Sequence, residues 1–128
     1  MQRFNVAAYL RLSKEEFSNE KESNSITNQK LIVDNYLKEH NEYKLVDYYI
    51  DDGYSGTNFN RPEFQRMLED IKNKKIDVII IKDLSRLGRN YIETGNFIEV
   101  IFPAMGVSVI SVDENCEIDS SDYYGDDY

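Results

Sequence analysis

Residues 77–81 read Asp-Val-Ile-Ile-Ile, an aspartate followed by an unbroken run of β-branched residues. Such a run has no polar side, so it is typical of a strand that helices cover on both faces, as in a parallel sheet. Three further segments, at residues 4–10, 44–50 and 107–112, also predict buried strands. A sheet with a doubly covered central strand requires helices on both sides.

Helical patterns lie between the predicted strands. Ser25 can cap a helix that runs to about residue 40. Asn60 is predicted to begin a second helix, with Glu63 completing a capping box. A third helix is predicted to begin near Asn90 and to end around Pro103. Because strand and helix alternate with connections too long for hairpins, we predict an α/β fold, a three-layer sandwich with a mainly parallel central sheet.

Composition narrows the class of protein. The 128 residues are 41% apolar and 30% charged, which is ordinary for one globular domain. No stretch approaches the roughly 18 apolar residues of a membrane-spanning helix, and no signal-peptide pattern precedes the first strand. The single cysteine, Cys116, excludes an internal disulfide and a cysteine-based zinc site. We therefore expect a cytoplasmic protein with no membrane partner.

The charge is unevenly distributed. The net charge of −9 has the wrong sign for a nucleic-acid binder, but seven of the 24 acids lie in residues 113–128, which contain no lysine or arginine. Residues 1–112 therefore carry a net charge close to zero. We interpret 113–128 as a solvated acidic connector without order of its own. The alternative is that these acids act as an inhibitory segment and compete with an anionic ligand for the basic residues.

Polar side chains cluster where the predicted strands end. The carboxyl ends of parallel strands meet at one edge of the sheet, which is where such folds bind ligands. The residues at or just after the ends of the first three strands are Tyr9, Arg11 and Ser13, then Asp52 and Arg61, then Lys82, Asp83, Ser85, Arg86, Arg89 and Asn90. Four arginines with few acids nearby predict an anion site, and guanidinium geometry suits phosphate. A hydroxyl among them suggests a nucleophile at a phosphoryl centre.

Each of these residues also has an ordinary structural interpretation. A single arginine near a helix start is usually a solvated charge, and a serine after a strand is usually a cap. The coincidence of three strand ends favours a site. The sequence has no GxxxxGK[ST] loop, which excludes a Walker-type nucleotide site. Its only histidine, His40, lies far along the chain from Ser13, so a Ser-His-Asp triad is not expected.

Four short motifs carry a resemblance to a known family. In order, they are YLRLS at 9–13, SITNQ at 25–29, DGYSG at 52–56 with RPEF at 61–64, and LSRLGRN at 84–90. In this order and spacing they resemble the catalytic domain of the serine recombinases, the resolvases and invertases. The polar segment 14–24 and the sequence KDLSRLGR at 82–89 most resemble those of the large serine recombinases of transposons and phages.

The resemblance implies a reaction and a set of roles. In this family a serine hydroxyl attacks a DNA phosphodiester and forms a 5′-phosphoserine link, and four subunits exchange and rejoin the strands without metal, ATP or another cofactor. The implied nucleophile is Ser13. The residues implied to hold the phosphate or complete the site are Arg11, Arg86, Arg89, Gln29, Asp52 and Arg61. The supporting candidates are Tyr9, Lys82, Asp83, Ser85 and Asn90. The proton acceptor stays open between Asp52, an arginine and water.

The resemblance also defines a domain and one departure. It implies that residues 1–112 are the catalytic domain, and that 113–128 lead toward a dimerisation helix and a DNA-binding region outside this chain. The isolated chain is then expected to be inactive. Small resolvases carry an aspartate immediately before the first arginine of the last motif, where this chain has Ser85. We hypothesise that Asp83 substitutes for that aspartate.

Two other functions fit less of the sequence. A receiver-like signalling module would use the pair Asp51-Asp52 and the strand-end Lys82, but that class of module places its acid pair after the first strand, which here ends in arginine and serine. A noncatalytic assembly module of the same fold would leave the intact Arg11, Ser13 and Arg86 without a role.

Overall fold

The structure, a computed structural model, describes residues 3–13, 25–57, 59–113 and 116–118. The strands are β1 (Phe4–Leu12), β2 (Tyr43–Asp52), β3 (Val78–Ile81), β4 (Ser108–Ser111) and β5 (Cys116–Ile118). The helices are α1 (Ile26–Lys38), α2 (Pro62–Lys72), the short α3 (Leu84–Leu87) and α4 (Tyr91–Asn96). Helix α4 continues directly into a π-helical segment, Phe97–Ile101, and a last α-helical turn, Phe102–Ala104. Among the described residues, no helix has the length and apolar character needed to cross a bilayer.

The strands form one sheet in the order β2-β1-β3-β4-β5. The first four are parallel, and β5 pairs antiparallel with β4. The prediction of a mainly parallel sheet is confirmed. The expectation that residues 113–128 have no order of their own is wrong for 116–118, because backbone pairing to the outer edge of β4 needs no side-chain periodicity. Residues 119–128 lie outside the described part of the chain.

Alternation along β1 divides the core between the two faces of the sheet. Val6, Ala8 and Leu10 pack on the side that α1 covers with Val33. The odd-numbered positions face the other way, toward a cluster that α2 and the helical segments after α4 complete. That cluster contains Ala7, Tyr9, Phe64, Met67, Ile98 and Phe102. These layers confirm the predicted three-layer sandwich. The face of β1 that carries Tyr9 packs against α2.

Local capping signals were right for two helix starts. The Ser25 hydroxyl accepts from the Asn28 amide at 3.0 Å, and the Asn90 side chain accepts from the Glu93 amide at 3.1 Å. Both contacts are between near neighbours in sequence, so the residue pattern is enough to predict them.

The predicted start of α2 at Asn60 is wrong. The helix begins at Pro62, and its N-cap Arg61 makes no side-chain cap hydrogen bond. The cap comes instead from the end of β2, where the Asp51 carboxylate accepts from the amides of Glu63 and Phe64, each at 3.0 Å. A carboxylate from another strand therefore replaces the predicted capping box.

Candidate active site

The ends of β1 and β2 are tied together beside Ser13. Parallel register pairs Leu12 with Asp52, the residue with which β2 ends. The chain then turns back, and the amides of Gly53 and Tyr54 both donate to the Leu12 carbonyl, at 2.6 and 3.2 Å. Ser13 follows directly and is 4% exposed. The nucleophile candidate thus sits where two strand ends and one loop meet.

The Arg11 guanidinium joins that loop to the segment after β3. Its Nη1 donates to the Tyr54 carbonyl at 3.0 Å. Its Nη2 donates to the Ser85 carbonyl at 2.6 Å, and its Nε donates to the Arg86 carbonyl at 3.2 Å. The side chain is fully buried, so these carbonyl dipoles replace the water that would otherwise solvate its charge. Arg11 therefore holds all three strand ends in one arrangement.

The main chain of Arg11 is held from both sides. The Gln29 amide of α1 donates from Nε2 to the Arg11 carbonyl at 2.9 Å, and its Oε1 accepts from the Arg11 amide at 3.3 Å. The same carbonyl accepts from Nη1 of Arg86 at 2.6 Å. Gln29 is fully buried. It therefore sets the backbone position two residues before Ser13.

Arg86 lies in a chain of polar contacts that begins at Asp83. Nε and Nη2 of Arg86 donate to the Ser85 hydroxyl oxygen at 3.2 and 3.0 Å, and that hydroxyl donates to the Asp83 carboxylate. Asp83 also lies 3.7 Å from Nε of Arg86. The Lys82 ammonium lies between Asp83 at 3.3 Å and Asp113 at 3.2 Å. Asp83 thus meets Arg86 mainly through the Ser85 hydroxyl.

The charge state of Asp83 follows from these contacts. Burial acts to raise the pKa of the Asp83 carboxyl. The hydrogen bond from Ser85 and the positive charges of Arg86 and Lys82 outweigh burial, so the pKa is lowered. Asp83 is accordingly a carboxylate at neutral pH, able only to accept hydrogen bonds.

Arg61 belongs to a second buried network of hydrogen bonds. Its Nη1 donates to the Tyr9 hydroxyl at 2.9 Å, and its Nη2 donates to the Leu87 carbonyl at 2.7 Å. The Tyr9 hydroxyl in turn donates to Asp51 at 2.8 Å. Burial raises the pKa of Tyr9, and the neighbouring Asp51 raises it further against the opposing charge of Arg61. Arg61 thus links the end of α3 to β1 through the Tyr9 hydroxyl and a main-chain carbonyl.

Aromatic rings complete the surroundings of Arg61. Its guanidinium carbon lies 4.5 Å from the ring centre of Phe59 and 4.9 Å from that of Phe64. The quadrupole of an aromatic ring attracts a cation at this separation. Arg61 is 1% exposed, so these rings, together with the hydroxyl and carbonyl groups, stabilise its charge away from water.

Arg89 lies at the rim of the site and is exposed. Its amide donates to the Gly56 carbonyl at 2.6 Å. A Cβ added at Gly56 would lie 2.6 Å from Nη2 of Arg11 and 3.0 Å from Cγ of Arg89. Only glycine allows the backbone to approach both arginines this closely.

The predicted site residues fall into three groups. Those at the shared strand edge with buried or half-buried side chains are Tyr9, Arg11, Ser13, Gln29, Arg61, Lys82, Asp83, Ser85 and Arg86. Asp52 and Arg89 are exposed beside them. Asn90 is a helix cap. Of the four arginines predicted to form an anion site, Arg11, Arg61 and Arg86 are buried and donate to main-chain carbonyls.

Sequence reasoning missed two residues of the site. Asp51 is 1% exposed and joins Tyr9 to the start of α2. Alternation from the buried Tyr49 would have placed Asp51 toward the core and Asp52 toward solvent. Gly56 lies in the DGYSG motif, but nothing in its local sequence indicates the two arginines against it. In the described part of the chain, no three His, Cys, Asp or Glu side chains are grouped to hold a metal ion.

Comparison with known proteins places this arrangement in a family. The family model described as Resolvase, N terminal domain, matches residues 6–127. A search among curated proteins gives no match.

Several solved structures are similar. The N-terminal catalytic domain of TP901-1 integrase has 29% identity and a TM-score of 0.78, with 88% of this chain and 80% of that chain covered. A resolvase family site-specific recombinase from Streptococcus pneumoniae has 29% identity and a TM-score of 0.74, covering 90% and 76%. The C-terminal catalytic domain of ISC1926 TnpA, an IS607-like serine recombinase, has 26% identity and a TM-score of 0.67, covering 84% and 67%. This chain belongs to the resolvase family, and its fold is that of a serine recombinase catalytic domain.

Proposed function

We propose that this domain cuts and rejoins DNA as the catalytic part of a site-specific recombinase, with Ser13 as the nucleophile. The Ser13 hydroxyl oxygen forms a bond to phosphorus while the bond from phosphorus to the 3′ oxygen breaks. The hydroxyl proton leaves to a base, and the 3′ oxygen takes up a proton. Reversal by another 3′ hydroxyl releases Ser13 and restores the phosphodiester.

The observation that carries this proposal is the position of Ser13. It lies two residues beyond Arg11, whose guanidinium links the ends of β1, β2 and β3 through Tyr54 and Ser85. The Arg11 carbonyl accepts from Gln29 of α1. Donors held in place before the reaction stabilise the charge that develops on phosphoryl oxygens, typically by ~10²–10³ in rate for each donor. The site therefore has a nucleophile and fixed cations together.

The arginines have distinct parts in this proposal. Arg11, Arg86 and the exposed Arg89 contact the phosphate, whereas Arg61 and Gln29 position the segments that carry them. Because Arg11 and Arg86 now donate to carbonyls, a phosphodiester at Ser13 must take over some of those hydrogen bonds. DNA binding is then coupled to a rearrangement around α3.

We assign the proton acceptor to Asp52. Its strand partner Leu12 immediately precedes Ser13, and its side chain is exposed at the same edge. The neighbouring Asp51 is fully engaged with Tyr9 and the start of α2, so it is not available for this role.

The partners follow from the reaction. The substrate is double-stranded DNA, and strand exchange requires two duplexes held by an assembly of four such domains. The similar structures include an integrase and an IS607-like serine recombinase, which supports the proposal that this chain acts in the integration or excision of mobile DNA. We propose that it acts on DNA in the bacterial cytoplasm.

The receiver-like alternative receives no support from the geometry. A phosphoacceptor aspartate must be open to a phosphodonor and a divalent cation. Asp51 instead accepts from the Tyr9 hydroxyl and from two amides of α2 while buried. Residues 3–13, the described segment that contains β1, include no acid that could pair with Asp52.

The test is covalent trapping on DNA. The chain, extended by the native segment that follows it or joined to a DNA-binding module, is incubated in EDTA with paired sites that carry a nick near the expected cut. A denaturing gel should show protein attached to a 5′ end for the wild type and none for Ser13→Ala. Attachment that persists in Ser13→Ala, or that requires a divalent metal, contradicts the proposal.

A further inference from the structure

We infer that Asp83 and Ser85 are positioning residues for Arg86: the Asp83 carboxylate orients the Ser85 hydroxyl, whose oxygen then accepts two hydrogen bonds from the guanidinium. This inference rests on the function proposed above, because it assigns a purpose to the fixed guanidinium. The two side chains act through Arg86 and do not themselves contact the DNA.

The direction of the hydrogen bonds follows from the chemistry of the three groups. A serine hydroxyl has one proton and two lone pairs. The Ser85 proton is directed to the Asp83 carboxylate, which can only accept, so both lone pairs face the donors of Arg86 at 3.2 and 3.0 Å. The direct separation of Asp83 from Nε of Arg86 is longer, 3.7 Å. The hydroxyl is therefore the closer link between the two charges.

Both oxygens of Asp83 are themselves held. Oδ1 accepts from the Ser85 amide at 3.0 Å as the cap of α3, and Oδ2 faces the Lys82 ammonium at 3.3 Å. The carboxylate thus has little rotational freedom at the start of the helix. Its lowered pKa keeps it in the accepting form at neutral pH.

The other side of the Arg86 guanidinium is fixed independently. Its Nη1 donates to the Arg11 carbonyl at 2.6 Å, and the side chain is 2% exposed. With Ser85 holding Nε and Nη2, every nitrogen of the group has a described partner. Removal of the Ser85 hydroxyl takes away the hydrogen bonds that Nε and Nη2 make to it and keeps the bond from Nη1 to the Arg11 carbonyl, so the guanidinium is held less firmly and can pivot about Nη1.

A pivoting guanidinium affects rate more than binding. Alignment of a charged donor before the reaction stabilises the transition state, whereas the electrostatic attraction to DNA depends on the charge, which the pivot leaves unchanged. We therefore expect Ser85→Ala to lower the single-turnover rate of adduct formation by ~10²-fold with an unchanged Kd for DNA. Ser85→Thr keeps the hydroxyl and should retain most of the rate.

Two readouts test the inference. In the chain itself, NMR measures hydrogen exchange at Nε of Arg86, which should quicken about tenfold in Ser85→Ala and in Asp83→Asn because one hydrogen bond is lost or loses its fixed direction. In the extended protein, single-turnover trapping measures the rate. Ser108→Ala, at the opposite end of the sheet, is the matched control and should match the wild type in both.

The outcomes separate this inference from the proposed function. Faster exchange together with a rate loss that Ser85→Thr restores supports it. Unchanged exchange in Ser85→Ala, or wild-type trapping rates in that variant, overturns it. If Ser13→Ala still forms the adduct, the proposed nucleophile fails, and the exchange measurement alone then decides whether Asp83 and Ser85 orient Arg86.

Discussion

The buried guanidinium of Arg61 donates a hydrogen bond to the hydroxyl of Tyr9 at 2.9 Å. The same hydroxyl donates to Asp51, which caps α2, while Arg61 also reaches the carbonyl of Leu87 at the end of α3. One phenol thus connects the first strand, the start of one helix and the end of another. The support beneath the candidate active site is a polar network inside an apolar cluster.

Replacing Tyr9 by phenylalanine should lower the free energy of unfolding by about 1–3 kcal/mol, because Asp51 and Arg61 each lose a buried partner. Urea denaturation measures this change. The exposed Tyr54→Phe serves as control and should shift unfolding by roughly 0.5 kcal/mol or less. Equal midpoints for the two variants would contradict the energetic importance of the network.

Substitutions at the adjacent Asp51 and Asp52 should have different effects, one on stability and the other on catalysis. Asp51→Asn places an amide NH₂ group, itself a donor, against the Tyr9 hydroxyl and the two amides at the start of α2, which are also donors. It should lower the free energy of unfolding by about 1–3 kcal/mol. Asp52→Asn changes an exposed side chain and should leave the unfolding midpoint near that of the wild type, while slowing adduct formation by ~10²-fold or more as the base is lost. Urea unfolding and single-turnover trapping provide the two measurements. Normal trapping in Asp52→Asn would remove it as the proton acceptor.

Gly56→Ala should displace Arg11. The added Cβ would lie 2.6 Å from Nη2 and 2.8 Å from Cζ of a guanidinium that three carbonyls hold. We expect the trapping rate to fall by ~10²-fold, the typical effect of a displacement of about 1 Å in a catalytic group.

The control for Gly56→Ala is Gly106→Ala. Gly106 has a φ of +73° and no atom within 4 Å of an added Cβ, so this change brings backbone strain of about 1–2 kcal/mol without touching the site. At a temperature where both variants are folded, Gly106→Ala should cleave normally. Equal activities for the two variants would show that close packing of Gly56 on Arg11 is unimportant.

Asp83 should make stability depend on pH in the acidic range. Its folded-state pKa is lowered, so the stabilisation is fully present above the unfolded value, about 3.9, and is lost as pH falls through the folded value. The difference in unfolding free energy between the wild type and Asp83→Asn should therefore shrink as pH falls below about 4. Thermal unfolding from pH 7 to pH 3 measures it. A difference that stays constant over this range would indicate that the charge of Asp83 contributes nothing.

Short-range patterns were the reliable part of the prediction. The β-branched run within Val78–Ile81 forms the strand it predicts, because such side chains fit a doubly covered sheet. Ser25 and Asn90 cap the helices they precede, since each contact spans three residues. The start of α2 escaped prediction because its cap is the distant Asp51.

The amino-acid sequence by itself determined the four parallel strands, the three main helices between them and the family, since these depend on periodicity and on motifs of a few residues. It also placed Arg11, Ser13 and Arg86 at one edge of the sheet. Only the tertiary structure decided what each of them contacts: the carbonyls that occupy Arg11, and the Asp83 and Ser85 pair that orients Arg86. Hydrogen bonds act over about 3 Å between groups that are often many residues apart in sequence, so their partners are fixed only when the strand ends meet.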